Sequence, residues 1–382
     1  MDATQLALEL AHEAGFDLAG VAPLAPPGAA PRFRRWLEAG HHADMEWLRR
    51  NAERICDPRS VLPEARSLLV VGVGHARPAV SLPGGGRVAR YAAGRDYHNS
   101  IGKRLQRLAR RLEQAGLAGR WRKVVDAGPL LERSHAAEAG LGFESRAANL
   151  LHPRFGPWFF LGELLLEEEL EPTPGPPPGS CGTCTACLDA CPTAAIREPG
   201  VVDSRLCLSY HTIENRGSIP APIREALGDW AFGCDICSEV CPWGRRAPDA
   251  TEQHGTHEAV GRSLVDWLRH PPDEHAELFR GSALRRAKRD GLARNAALAL
   301  AATPSEEGRD ALLAALESDP AARVREAAGW SLARAHARDR GVAEALERAE
   351  AAEPEAAARA DLRRSRDLVA ERPPRSAQRS DG

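Results

Sequence analysis

Eight of the chain's nine cysteines crowd between residues 181 and 241. Four of them, Cys181, Cys184, Cys187 and Cys191 in CGTCTACLDACP, follow C-x2-C-x2-C-x3-C-P. Zinc ribbons use two CxxC knuckles separated by a longer loop, so this spacing speaks against zinc. It is the spacing of a bacterial ferredoxin loop. A cubane offers iron corners in several directions, so three thiolates on one tight loop take three corners. The fourth, launched by Pro192, points away toward a second cluster. That predicts a second set, and it is present as Cys234, Cys237 and Cys241 in CDICSEVCPW, with Cys207 upstream across 26 intervening residues. The spacing therefore assigns one [4Fe–4S] cluster to Cys181, Cys184, Cys187 and Cys241, and the other to Cys191, Cys207, Cys234 and Cys237. Zinc and a purely structural cluster pair stand as the alternatives. Two neighbouring clusters form an electron conduit, and a conduit needs somewhere to deliver. Cys56 lies apart and reads as a small buried apolar side chain.

The rest of the 382-residue chain must position that conduit. Its 43% apolar and 27% charged residues describe an ordinary water-soluble composition, with a net charge of −2 that advertises no polyanion partner. No run of about 18 apolar residues is long enough to span a membrane. The start, MDATQLALELAHEAGF, reads as a helix rather than a signal peptide, so a cytoplasmic protein is expected. Helical periodicity marks TQLALELAHEAG and IGKRLQRLARRLEQAG (101–116). Short apolar runs mark strands in LAGVAPL, SLLVVGVG and RKVVDAG, and PWFFLGELLLEEEL (157–170) adds a strand or buried hairpin segment. The proline-rich PTPGPPPG (172–179) forms a boundary. Beyond the cysteines, a short helix is expected near 258–270. The segments SALRRAKRDGLARNAALALAAT and DPAARVREAAGWSLARAH then resemble one another as HEAT-like repeats. The expected class is α+β. It comprises an N-terminal α/β sandwich-like domain over 1–171, a ferredoxin-like domain over 172–250, helical repeats over 258–370 and a disordered tail over 371–382.

Read together, VVDAGPLLER (124–133), FGPWFFLGELLL (155–166), CGTCTACLDACPTAAI (181–196), CLSYHTIENRGSIP (207–220) and FGCDICSEVCPW (232–243) resemble the epoxyqueuosine reductase family. The resemblance runs from AGFDLAGVAP near the start to the repeats. It implies a cobalamin-dependent enzyme with two [4Fe–4S] clusters, whose N-terminal domain binds cobalamin. Such an enzyme reduces the epoxide of epoxyqueuosine, in the anticodon loop of tRNA, to the alkene of queuosine. The conversion takes two electrons and two protons and releases water. Reduced cobalt attacks the strained ring, and the resulting alkoxide leaves only if a general acid protonates it. Asp126, at the end of RKVV and just before AGP, is the matched proton donor. Partial desolvation at that strand end is expected to raise its pKa and keep a proton available near neutral pH. By matched position, Arg54, Tyr97, Asp126, Arg146, Ser204 and Asp235 are expected to contact the cofactor. DYHNSIG (96–102) nearly spells DxHxxG, but its glycine comes one place late, so His98 is not assigned as a cobalt ligand. The chain departs from the family's Gly-Lys pair near 145–146, where it reads SRAAN; Arg146 keeps the charge without the lysine geometry.

Between 280 and 294, RGSALRRAKRDGLAR carries six Lys or Arg and one acid. This is either a solvated helix face or a strip for phosphate contacts with a tRNA stem-loop. A base lifted from the anticodon loop would then enter the pocket, with His211, Glu214, Asn215 and Arg216 at its mouth. Further expectations are an electron donor such as flavodoxin or ferredoxin, no membrane, and a monomer, because an elongated substrate needs an open face. Two rival readings remain. One is a reductive dehalogenase-like cobalamin enzyme, which has no use for a basic repeat domain. The other is an electron-transfer protein joining a ferredoxin to a HEAT scaffold, which leaves the N-terminal domain without a role.

Overall fold

A computed structural model describes residues 2–175, 179–339 and 341–371. The central prolines of the connector, and all but the first residue of the expected tail, lie outside them. The chain divides into two compact units, each assembled from separate stretches. One takes Met1–Pro78, Arg90–Cys207 and Asp235–Thr256; the other takes Ala79–Ala89, Leu208–Cys234 and His257–Gly382. The long interval within the second cysteine set thus belongs to a different unit from the cysteines on either side of Cys234.

The first unit is built on a four-stranded antiparallel sheet. Its strands are β1 (Leu18–Ala22), β2 (Ser67–Gly74), β3 (Trp121–Val124) and β4 (Phe159–Leu166), in the order β1-β2-β4-β3. β2 reads SLLVVGVG without alternation, and every residue of it is buried. Such a run requires both faces of the sheet to be covered. Helices α1 (Ala3–Glu13) and α2 (Tyr97–Gln114) cover one face, and α3 (Glu132–Glu138) covers the other. Leu69, Val71, Phe160 and Leu164 pack toward α2, while Leu68, Val70, Val124 and Leu165 pack in the α3 core. At Gly162 the approach of α2 is so close that a Cβ would fall 2.9 Å from Ile101.

α2 begins four residues before the start that apolar periodicity marks. Asp96 caps it by accepting the His98 N–H at 3.0 Å, which satisfies one orphan donor of the first turn. This early start puts Tyr97 and His98 at the helix N-terminus. Two further short helices, α4 (Ala186–Ala190) and α5 (Ile236–Glu239), each follow a cysteine loop and pack on one another.

The second unit is mostly helical. It contains α6 (Leu264–Arg269), α7 (Lys288–Ala299), α8 (Glu306–Ser318), α9 (Ala322–Ala335), α10 (Val342–Ala352) and α11 (Ala356–Ala370). α7 packs on α9 and α9 on α11, while α8 packs on α10, so alternate helices form two layers. The short helix expected at 258–270 is a 3-10 turn at Glu258–Gly261 followed by α6, which a Ser263–Asp266 capping box starts.

Candidate active site and cluster cysteines

β3 stops at Val124, and the chain turns at once into α3. Asp126 in that turn has φ of 53°, a left-handed conformation that Asp tolerates better than most residues. A Cβ on Gly128 would overlap the Val124 side chain, at 2.1 Å, so only glycine lets the turn fold back on the strand end. Strain of this kind costs about 1–3 kcal/mol and persists where surrounding contacts impose it. Those contacts are explicit. Tyr97 donates its hydroxyl to Asp126 Oδ2 at 2.5 Å, His98 Nε2 lies 3.2 Å from the same oxygen, and the Asp126 N–H donates to Glu132 Oε1 at 2.5 Å. Tyr97 stacks between His98 and Phe160, at ring separations of 4.2 and 4.3 Å, which fixes its hydroxyl.

The electrostatics of this group correct one expectation. Desolvation does push the Asp126 pKa upward, but hydrogen bonds from His98 and Tyr97 outweigh it and hold the carboxyl below the usual range. Asp126 therefore rests as an anion. The proton sits beside it. Burial pulls His98 down, yet its hydrogen bonds to Asp126 and Asp96 win and push it up to about 9. With Nδ1 at 2.8 Å from Asp96 and Nε2 on Asp126, both ring nitrogens face carboxylates, which suits an imidazolium. Spacing alone missed this role for His98. It missed Glu132 and Glu163 as well, although Glu163 left a signal, an acid in the core-facing phase of FFLGELLL.

The cysteines of the first assigned set come together. Cys181, Cys184, Cys187 and Cys241 line one cavity, which Cys237 also reaches. Burial first, then the neighbouring Cys181 and Cys184 thiols, raise Cys241; burial and then Cys181 raise Cys187. In the second assigned set, burial and the nearby Cys207 thiol push Cys237 up to about 12. The Ala195 N–H points at Cys191 Sγ from 3.3 Å. Among the described residues no three His, Cys, Asp or Glu side chains converge on a point where a single ion would be held. A cubane asks for something else, since each thiolate takes its own iron corner. Crowded sulfurs around a small cavity fit that group, and the cost of burying several thiolates together is what iron would relieve.

The residues matched for cobalamin are engaged separately. Tyr97 and Asp126 meet each other. Arg146 donates to the Gly182 carbonyl at 2.8 Å, inside the first cysteine loop. Asp235 is buried and accepts the Arg90 N–H at 2.7 Å. Arg54 is exposed on a short helix, with its carbonyl accepting from Ser60. Ser204 is buried, its N–H bound to the His41 carbonyl. Tyr97 and Asp126 meet directly, while each of the other four is engaged by neighbours of its own.

The basic stretch is also corrected. Arg280, Arg285, Arg286 and Lys288 are exposed, but Arg289 and Arg294 turn inward. Arg289 pairs with Asp319, at 2.6 Å. Arg294 is 1% exposed and donates to the carbonyls of His211, Asn215 and Gly217 at 2.6, 3.0 and 2.6 Å. His211 and Asn215, expected at a pocket mouth, are buried and bound to each other. Glu214 forms a forked pair with Arg286, and Arg216 lines a separate cavity of about 490 Å³ in the helical unit.

Residues 180–244 match a family model described as a 4Fe-4S double cluster binding domain, and residues 56–127 match one described as epoxyqueuosine reductase QueG, DUF1730. An epoxyqueuosine reductase of Synechococcus sp. (strain CC9605) is 44% identical over 303 residues, covering 76% of this chain and 92% of the relative. That of Xanthomonas campestris pv. campestris is 38% identical over 351 residues, covering 87% and 96%. Among solved structures, an epoxyqueuosine reductase with a tRNA-Tyr epoxyqueuosine-modified stem loop superposes with a TM-score of 0.85 at 26% identity, covering 97% of this chain and all of the other. The Bacillus subtilis enzyme, with its catalytic aspartate loop swung out of the active site, superposes at 0.83 and 26%, covering 96% and 100%.

Proposed function

The chain belongs to the epoxyqueuosine reductase family of oxidoreductases, and on that premise we propose that it reduces the epoxide of epoxyqueuosine in a tRNA anticodon loop to the alkene of queuosine. The observation that carries this reading is the Asp126 turn. It is one carboxylate, held in a strained conformation between a tyrosine hydroxyl and an imidazolium, in a chain that also gathers thiols for 4Fe-4S binding. Opening the ring leaves an alkoxide, which departs as water only after protonation. Asp126 delivers that proton at its Oδ2. The proton comes from His98, which touches the same oxygen and is charged at neutral pH. Tyr97 steadies the carboxyl between deliveries.

Cys181, Cys184, Cys187 and Cys241, and Cys191, Cys207, Cys234 and Cys237, would hold two [4Fe–4S] clusters, which would supply the two electrons from a small donor such as flavodoxin or ferredoxin. Family resemblance adds cobalamin, which when bound would supply a reducing nucleophile toward the epoxide. The domain assignment follows: a catalytic and cobalamin-binding domain over 1–171, a two-cluster domain over 172–250 and HEAT-like repeats over 258–370 that dock tRNA. The structural relative with its tRNA stem loop supports RNA as partner, and the four exposed cations at 280–288 supply sequence-independent phosphate contacts. No described helix is long and apolar enough to cross a membrane, and the cytoplasm is where this substrate is expected.

The test is an anaerobic assay. The protein with reconstituted clusters, cobalamin and a reductant is given epoxyqueuosine tRNA, and the nucleosides are weighed by mass spectrometry. Loss of one oxygen mass supports the reaction. In parallel, Asp126→Asn should turn over at least about 100-fold more slowly; equal rates would remove Asp126 as the acid while leaving the reaction standing. Cobalamin binding without any change in the tRNA would sink the substrate assignment and favour a dehalogenase-like enzyme.

A further inference from the structure

β4 carries an acid where its pattern calls for an apolar side chain. In FFLGELLL, Glu163 shares a face with Leu161 and Leu165, the face that α3 covers, and it lies opposite Val70 of β2 and Val124 of β3. The residue is fully buried, and neither of its carboxyl oxygens has a hydrogen-bond partner among the described residues. An anion in that position would lose its hydration with nothing in return, whereas the neutral acid loses far less. Burial, and then the neighbouring Glu132 carboxyl, raise its pKa well above the usual range.

Glu132 connects this buried acid to the Asp126 turn. It stands on the first turn of α3 and accepts the Asp126 N–H at 2.5 Å, so it holds the residue whose backbone is left-handed. Burial, and then the Asp126 carboxylate, push Glu132 up to about 8, against the pull of Arg133 and His98. The charged groups facing Glu132 are thus Asp126 from the turn, His98 from α2, Arg133 from its own helix and Glu163 from β4. Desolvation and like charge act in the same direction on these carboxyls, against ionisation of both.

We propose that Glu132 and Glu163 form an acid pair behind the Asp126 turn that positions Asp126 for proton delivery. A neutral Glu132 accepts the Asp126 N–H without repelling its carboxylate. When the pair ionises, a second anion stands beside Asp126 and drives its carboxyl away from Tyr97 and His98. Both glutamates are positioning residues, since they act through Asp126. No bond is made or broken at either one; only their proton exchanges with water.

The kinetic arm of the test rests on the reductase reading, and the spectroscopic arm does not. In the substrate-free protein, the infrared spectrum should show protonated-carboxyl C=O absorption at pH 7, one component of which is lost in Glu163→Gln and another in Glu132→Gln; absence of that absorption in the wild type, or no change in either variant, overturns the pair. In the turnover assay, Glu132→Ala should lower kcat about 10-fold or more with KM little changed, because the turn loses its acceptor. Glu132→Gln, which cannot ionise, should move the alkaline limb of kcat upward by about one pH unit, until His98 becomes limiting. An alkaline limb identical in wild type and Glu132→Gln would overturn the inference. Glu163→Gln carries the same shift in smaller measure, so the inference remains testable if one Glu132 variant does not fold. Should the wild type leave epoxyqueuosine untouched, the reductase reading fails while the infrared band still decides the pair.

Discussion

In the helical unit, Arg224, Arg289 and Arg294 are nearly inaccessible, and each is met by acceptors. Arg224 contacts Glu326, Asp361 and the Ile219 carbonyl; Arg289 contacts Asp319; Arg294 contacts three carbonyls of the segment it holds against α7. In the sheet unit, Glu163 is buried as deeply, and among the described residues neither its carboxyl oxygens nor the ring nitrogens of His135 have a hydrogen-bond partner. A buried charge costs several kcal/mol unless it is paired, so a fold keeps one either by satisfying it or by letting it stay neutral. The first solution builds structure: arginine, always charged, must be surrounded. The second keeps exchangeable protons inside the fold. Neither solution is exclusive to one unit, since burial also holds His270 and His275 of the helical unit below the usual imidazole range; what sets the sheet unit apart is that its buried acid lies opposite Val124, two residues before Asp126.

The largest effect expected from this contrast is in the helical unit. Arg224→Ala would leave Glu326 as an unpaired buried anion and should cost about 3–5 kcal/mol of stability in chemical denaturation, which a loss under 1 kcal/mol would contradict. Next comes Asp126→Asn, a loss of about 3 kcal/mol in transition-state stabilisation, equivalent to the 100-fold rate effect above, with a smaller loss of folding stability from the missing His98 contact. A midpoint that fell in step with the rate would make Asp126 structural and erase the contrast. Glu163→Gln sharpens it through pH. The folded pKa of this carboxyl lies above its unfolded value, so its contribution to stability is full below the unfolded pKa and is lost as pH rises. From about pH 5 upward, the wild type should therefore lose stability against Glu163→Gln by up to ~1.4 kcal/mol per pH unit. Curves that stay parallel from pH 5 to 9 would mean that Glu163 is paired in solution. The smallest effect belongs to the surface. Arg286→Ala removes a half-exposed forked pair with Glu214 and should cost under about 1 kcal/mol. If tRNA docks on this stretch, the same variant should weaken binding at low salt and lower the salt slope by about one.

Local features were legible where their cause is local. The cysteine loops could be read because a tight C-x2-C-x2-C turn brings its own thiols together, whatever lies around it. α1 and β2 could be read because their apolar periods, or the lack of one, report how many faces are covered. Asp126 could be placed at a strand end from RKVVDAGP alone. Its protonation state could not. Tyr97 and His98 lie nearly thirty residues earlier and reach Asp126 only because α2, capped by Asp96, crosses β4 at Gly162. Desolvation, the one force visible from position, was outweighed by two hydrogen bonds invisible from it. The stretch at 280–294 failed for a related reason. Six cations in fifteen residues give no clue to which will turn inward, and the choice of Arg289 and Arg294 was made by Asp319 and by the carbonyls of a segment about eighty residues upstream.

By itself the sequence determined the donor atoms: the thiols, their spacing, the strand-end carboxylate, and the six cations at 280–294. Those are properties of residue type and short-range geometry. Only the tertiary structure decided which groups hold protons. A pKa answers to every dipole and charge within a few ångströms, and those neighbours come from α2, the β3–α3 turn and β4, which meet only once the sheet and its covering helices have closed.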